Sequence, residues 1–194
     1  MTARALINEP IHLMARRHGP YAPRIKTGVA WDLLVHDVDI AVQFFGGQTP
    51  ARVTSGARYF HPSSVEGAED TIETVLTFPT GLATVSASRL GQCKVRSLVV
   101  SELDRLIEID LLRRDVTIYR HVSYDSASSD GLGYRQQTVI EIPELITGRE
   151  PLATQLDRFV DLLEDKVGAA AERASILPSH RVVASVKETA AAAV

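Results

Sequence analysis

From residue 51 to residue 121 the chain runs through short β-prone segments whose connections are too brief to hold a crossover helix. Residues 51–60, 69–78, 82–90, 94–101, 105–111 and 115–121 each read as strands. The run Thr71-Ile72-Glu73-Thr74-Val75-Leu76-Thr77-Phe78 is rich in β-branched residues, and Pro79-Thr80-Gly81 is a tight-turn signal into Leu82. Ile107, Ile109 and Leu111 alternate with Glu108 and Asp110, which puts the apolar set on one side of a strand. Parallel neighbours need a long connection and antiparallel neighbours do not. The spacing therefore predicts one large, mainly antiparallel open sheet. A further strand at 11–18 precedes it, broken by Gly19, Pro20 and Pro23. Another is expected at 136–142, after a polar, Gly/Ser-rich segment (122–135) that reads as a mobile loop.

Helices are expected at the two ends. Residues 30–45 contain no internal Gly or Pro and end at Gly46-Gly47. After Pro151 the spacing of Leu152, Leu156, Phe159, Val160 and Leu163 keeps a helical period to about Val167, and a last helix is expected from about Pro178 into the alanines at 190–193. Strands in the middle and helices at the ends define the α+β class, with helices packed on one face of the sheet. At 194 residues the chain is expected to form a single domain, 1–194. The other sheet face, with small residues such as Thr84-Val85-Ser86-Ala87-Ser88, is then left for solvent or for a second copy, and a homo-oligomer is expected.

Composition narrows the function classes. With a formal net charge of -3, and with Arg16, Arg17, Arg24 and Lys26 as the only basic cluster, a nucleic-acid surface is not expected. One cysteine, Cys93, excludes an internal disulfide and a multi-cysteine zinc site and favours a reducing, cytoplasmic setting. No apolar run reaches the roughly 18 residues of a membrane span.

Chemistry concentrates on the first long helix. At about 100° per residue, with Asp32 at zero, His36 falls near ~40°, Asp39 near ~340° and Gln43 near ~20°. These four polar residues share one narrow arc. The remaining wheel is apolar, interrupted only by Asp37. Such a helix is expected to be mostly buried, its polar arc facing other polar groups, water or a cleft. Asp32 and His36 are four residues apart, so their side chains can touch, and a carboxylate there can orient an imidazole that exchanges protons near neutral pH. Three readings stay open on the pair alone: helix support, proton transfer, or a divalent-metal site, the last without a second histidine at ligand spacing.

The run Gly28-Val29-Ala30-Trp31-Asp32-Leu33-Leu34-Val35-His36-Asp37-Val38-Asp39 resembles a hallmark of the Gfo/Idh/MocA oxidoreductases, in which an Asp-x-x-x-His pair opens the C-terminal domain. The order strand, basic loop, this helix, sheet strands and terminal helices is similar as well. The resemblance implies that His36 is the general acid/base at a sugar hydroxyl and that Asp32 orients His36 or bonds the substrate. It also implies a lysine and NAD or NADP supplied by a separate N-terminal domain. No G-x-G-x-x-G follows a leading strand here: Gly131-Leu132-Gly133 lacks a third glycine, Gly46-Gly47 follows a helix, and Asn8-Glu9-Pro10 lacks the family's lysine. The chain is therefore read as the substrate-binding half of a sugar or nucleotide-sugar dehydrogenase, excised or naturally split, binding no cofactor alone and inactive without its partner domain. The alternative is a non-enzymatic dimerisation or small-molecule-binding module. Tyr21, Arg24 and Asp39 are candidate substrate contacts. Ser86-Ala87-Ser88-Arg89, with Lys94 and Arg96, is similar to branches acting on nucleotide-linked sugars. His61 and His180 are expected to be structural.

Overall fold

A computed structural model describes residues 3–22, 25–128, 131–145 and 150–192. Eight strands form one sheet: β1 (His12–His18), β2 (Arg52–Arg58), β3 (Thr71–Phe78), β4 (Gly81–Ser88), β5 (Val95–Ser101), β6 (Leu106–Asp110), β7 (Asp115–Ser128) and β8 (Gly131–Glu141). Their order across the sheet is β2-β3-β4-β1-β5-β6-β7-β8. Every neighbouring pair is antiparallel except β1 and β4, which run parallel. The first strand in the chain thus lies in the middle of the sheet, a placement that short-connection reasoning does not reach.

Side-chain alternation explains which face is covered. In β1, Leu13 and Ala15 point into the core, in register with Ala83 and Val85 of β4 and with Val100 and Leu98 of β5. Ile72 and Leu76 of β3, Ile107 and Ile109 of β6, and Val116 and Ile118 of β7 extend the same apolar layer. Two helices seal it: α1 (Val35–Phe44), preceded by a wider π-helical turn at Ala30–Leu34, and α3 (Ala169–Ala192). From them Leu34, Val38, Ala41, Val42, Val182, Val183 and Val186 pack down, and the Ser55 hydroxyl donates to the Val186 carbonyl at 2.6 Å, tying α3 to β2. The opposite face leaves Met14, Val75 and Leu82 exposed.

Three expectations need correction. The described residues of the segment at 122–135 are not a loop: β7 runs to Ser128 and pairs residue by residue with β8 from Gly131. A polar sequence can still form a hairpin, because the ladder bonds come from the backbone. The last helix starts at Ala169, nine residues before Pro178, which lies inside it. The helix after Pro151, α2 (Pro151–Leu163), does form, but none of its residues is buried and Leu152, Phe159 and Leu163 stay exposed.

The start of the α1 segment is held from the β2–β3 connection. Glu69 is 2 % exposed; its carbonyl accepts from the Val29 N–H and its carboxylate from the Ala30 N–H at 2.8 Å. A carboxylate there satisfies free N–H groups and opposes the positive end of the helix dipole. Lys187 of α3 pairs with the other carboxylate oxygen at 3.4 Å. A Cβ on Gly28 would land on that carboxylate, so the glycine of the motif is there for room. Gly28→Ala is expected to cost about 1–3 kcal/mol in urea unfolding. Gly56→Ala, where an added Cβ meets nothing within 4 Å, is the control. Equal stabilities of the two variants would contradict this account.

Candidate functional site

At the C-terminal end of β1 four pieces of chain meet: residues 18–22, the start of the α1 segment, the β2–β3 connection and the β4–β5 connection. Gly19 N–H donates to the Ser88 carbonyl, Gly91 N–H to the Gly19 carbonyl, and Arg89 N–H to the Asp70 carbonyl. Asp70 is the organising carboxylate of the β2–β3 connection. It accepts from the N–H groups of Phe60 at 2.7 Å and His61 at 2.8 Å and from the Ser64 hydroxyl at 2.5 Å. Burial by itself would raise its pKa. The bonds from His61, Ser64 and Phe60 outweigh burial and hold the carboxyl below its ordinary value. The loop so shaped presents His61 to Tyr21, and the two rings stack 3.6 Å apart at 8°. The Tyr21 hydroxyl donates to the Ser63 carbonyl at 3.0 Å. His61 thus packs against Tyr21 and accepts from the Ser63 N–H at 3.1 Å.

The α1 segment itself departs from the helical wheel. Its first turn closes with the Val35 N–H donating to the Ala30 carbonyl, a five-residue step that takes in one residue more than an α-turn. The polar arc of Asp32, His36, Asp39 and Gln43 lies away from the apolar layer. His36 and Gln43 are exposed, and Asp39 is half-buried and bonded to Gln43 at 2.6 Å. Asp32 pairs with Arg89 at 3.0 Å rather than with His36. Among the described residues the His36 ring makes no hydrogen bond, so both nitrogens are free for a ligand. Arg24 lies outside the described residues.

Asp37, the one polar interruption of the apolar side, is the buried charge. It is 1 % exposed and receives Arg17 in a two-pronged ion pair, Nε to Oδ2 at 2.8 Å and Nη2 to Oδ1 at 2.6 Å. Sequence reasoning grouped Arg17 with Arg16, but strand alternation separates them: Arg17 shares the inward side of β1 with Leu13 and Ala15, and Arg16 faces out. The inward parity of Arg17 and the lone Asp37 on an apolar arc were the signals available. Arg89 is 4 % exposed, and its Nε has no partner. Arg96 stands opposite Arg17 across the β1–β5 ladder and donates from Nη1 to the carbonyls of His18 and Val95, both at 3.0 Å. On the open face His18 contacts the Ser86 hydroxyl at 2.6 Å, which donates to Glu73 at 2.5 Å. Burial lowers the His18 pKa despite the nearby Glu73 charge.

Residues 4–101 match the family model described as the GFO/IDH/MocA C-terminal domain. The chain belongs to this family. Among solved structures, the fold is similar to UDP-N-acetylglucosamine 3-dehydrogenase GnnA from Acidithiobacillus ferrooxidans, with TM-score 0.68 and 22 % identity over 97 % of this chain and 56 % of that one. It is also similar to an NAD-binding protein from Listeria innocua, with TM-score 0.68, 17 % identity, and 97 % and 59 % of the two chains covered. Levoglucosan dehydrogenase in complex with NADH and levoglucosan matches with TM-score 0.62, 15 % identity, and 95 % and 57 % covered. The chain thus spans a little over half the length of these proteins. No curated protein matches it.

The two glycine pairs singled out in the sequence lie away from helix starts. Gly46 and Gly47, both at positive φ, close the C-terminal end of α1, and Gly131 and Gly133 lie in β8; neither pair opens a helix that could receive a pyrophosphate. No group of three metal-ligating side chains occurs among the described residues, and no described helix is long and apolar enough to cross a membrane.

The Arg17–Asp37 pair anchors the helix to the sheet. Asp37→Asn leaves a mostly buried guanidinium without its counter-charge and is expected to cost about 3 kcal/mol in chemical unfolding. Asp39→Asn, at a half-exposed pair, should stay within roughly 0.5 kcal/mol. A similar loss for both would show that the buried pair is not special.

Proposed function

We propose that this chain is the substrate-binding, proton-handling half of an NAD(P)-dependent dehydrogenase that interconverts a hydroxyl and a carbonyl on a sugar or nucleotide sugar. The observation that carries the reading is the state of His36. Its ring is exposed and unbonded, on a helix pinned to the sheet by a buried ion pair, while the neighbouring Asp32 is held by Arg89. In this reading His36 takes the hydroxyl proton in the oxidising direction and returns it in the other. Asp32, one third exposed beside its arginine, accepts a hydrogen bond from the substrate. Tyr21, fixed by its stack on His61, borders the same end of the sheet, and Asp39 and Arg24 remain proposed contacts. The nicotinamide is held by residues outside this chain. Support comes from the family, from neighbours named as dehydrogenases, one of them in complex with NADH, and from the exposed apolar side of α2, which needs a cover that the described residues do not supply.

The test pairs this chain with a dinucleotide-binding domain of the family and follows nicotinamide absorbance with a sugar panel. His36→Ala should lower turnover by ~10²–10⁴-fold, and Asp32→Asn should act mainly on KM. Unchanged turnover in His36→Ala would remove the assigned role.

The open face supports an assembly role beside the chemical one. Met14, Val75 and Leu82 lie exposed on adjacent strands of the uncovered side. We take a second copy of the chain as what covers them. Sedimentation at micromolar concentration should give a dimer or larger species that Met14→Glu reduces to monomer; a monomeric wild type would end this part of the proposal.

A further inference from the structure

The seam between α1 and the sheet holds more positive than negative charge. Arg17 is matched by both oxygens of Asp37, and Arg89 by Asp32. Arg96, which projects from β5 to the same side, has no carboxylate within 4.0 Å among the described residues. Its Nη1 is taken up by two backbone carbonyls, while its Nε and Nη2 donate to no described residue. The group is half-buried. Burial first, and then the charge of Arg17, act against its protonated form, while Asp37 and Asp32 act for it from a distance. A guanidinium does not escape such a site by losing its proton. Leaving a charge partly desolvated without a counter-ion is unfavourable, and the two carboxylates in reach are already committed to other arginines. A second orphan lies in the same cluster: the buried Arg89 Nε has no acceptor.

We propose that Arg96 is the centre of an oxyanion-binding subsite, which takes a phosphoryl or carboxylate group of the ligand whose hydroxyl His36 serves. The planar fork of an arginine offers two parallel N–H groups to two oxygens, the geometry both anions share. The subsite adjoins the proposed reaction centre because Arg96 stands opposite Arg17 across the β1–β5 ladder, and Arg17 holds Asp37, the residue next to His36. The inference rests on the dehydrogenase reading for its place in a substrate, and it narrows that substrate from sugars in general to sugars that carry a negative charge.

The test reads binding to this chain alone and no turnover, so its failure and that of the role assigned to His36 are separable. Uridine diphosphate, inorganic phosphate, glucuronate and uncharged glucose are titrated calorimetrically into wild type and Arg96→Gln. At least one anion should bind saturably where glucose does not, and Arg96→Gln should weaken it by roughly tenfold or more, the worth of one charge-assisted contact, with an unchanged melting curve. Binding by the diphosphate and phosphate assigns the subsite to a phosphoryl group; binding by glucuronate alone assigns it to a carboxylate. Should Arg96→Gln fail to fold, Arg96→Lys replaces it: the charge stays, the fork is lost, and affinity should still drop several-fold. Absence of saturable binding by any of the anions overturns the proposal, as does wild-type affinity in the folded variant.

Discussion

A two-pronged ion pair joins the central strand to the helix that lies across it. Arg17 stands at the inward end of β1, Asp37 on the underside of α1, and both bonds between them are shorter than 3 Å. Ion pairs with this little water contact gain from a low local dielectric and lose heavily if one partner goes. Because the bond is bidentate, it sets the rotation of α1 about its axis as well as its height above the sheet. With Asp37 turned down, Val38, Ala41 and Val42 meet the apolar layer and His36 is turned out. Glu69 completes the restraint by holding the first N–H groups of the segment, and Gly28 is small because that carboxylate lies against it.

The site follows from this restraint. A free imidazole, a carboxylate held by an arginine and a third arginine without a carboxylate partner belong to the end of the sheet where β1 and β4 finish and β5 begins. None of them is adjacent in sequence to all the others. Residues 18–22 and the loops after β2 and β4 reach the same place because Asp70 and the backbone bonds of Gly19, Arg89 and Gly91 stitch them together. The arrangement keeps packed parts beneath and leaves His36 accessible, as the proposed proton transfer requires.

Much of this was readable in advance, and the failures have specific causes. The α+β class, the antiparallel pairs and most strand limits follow from period-two alternation and short connections. The hairpin at β7 and β8 was missed because its pairing is carried by backbone groups that composition does not report. The parallel β1–β4 contact was missed because it joins segments some seventy residues apart. Asp32 and His36 were picked out by the helical wheel, but the wheel carries no long-range partner, and Asp32 pairs with Arg89 from the β4–β5 connection.

What the sequence determined by itself was local: periodicity, turn chemistry and the run from Gly28 to Asp39 that resembles the family's hallmark. Those signals act within a few residues, so a chain read in order displays them directly. Tertiary structure decided which charges are buried and with whom. Asp37 and Arg17, Asp32 and Arg89, Glu69 and the first turn of the α1 segment are each more than a dozen residues apart. Their pairing is the cost of desolvating a charge, and it exists only once sheet and helix have closed over it.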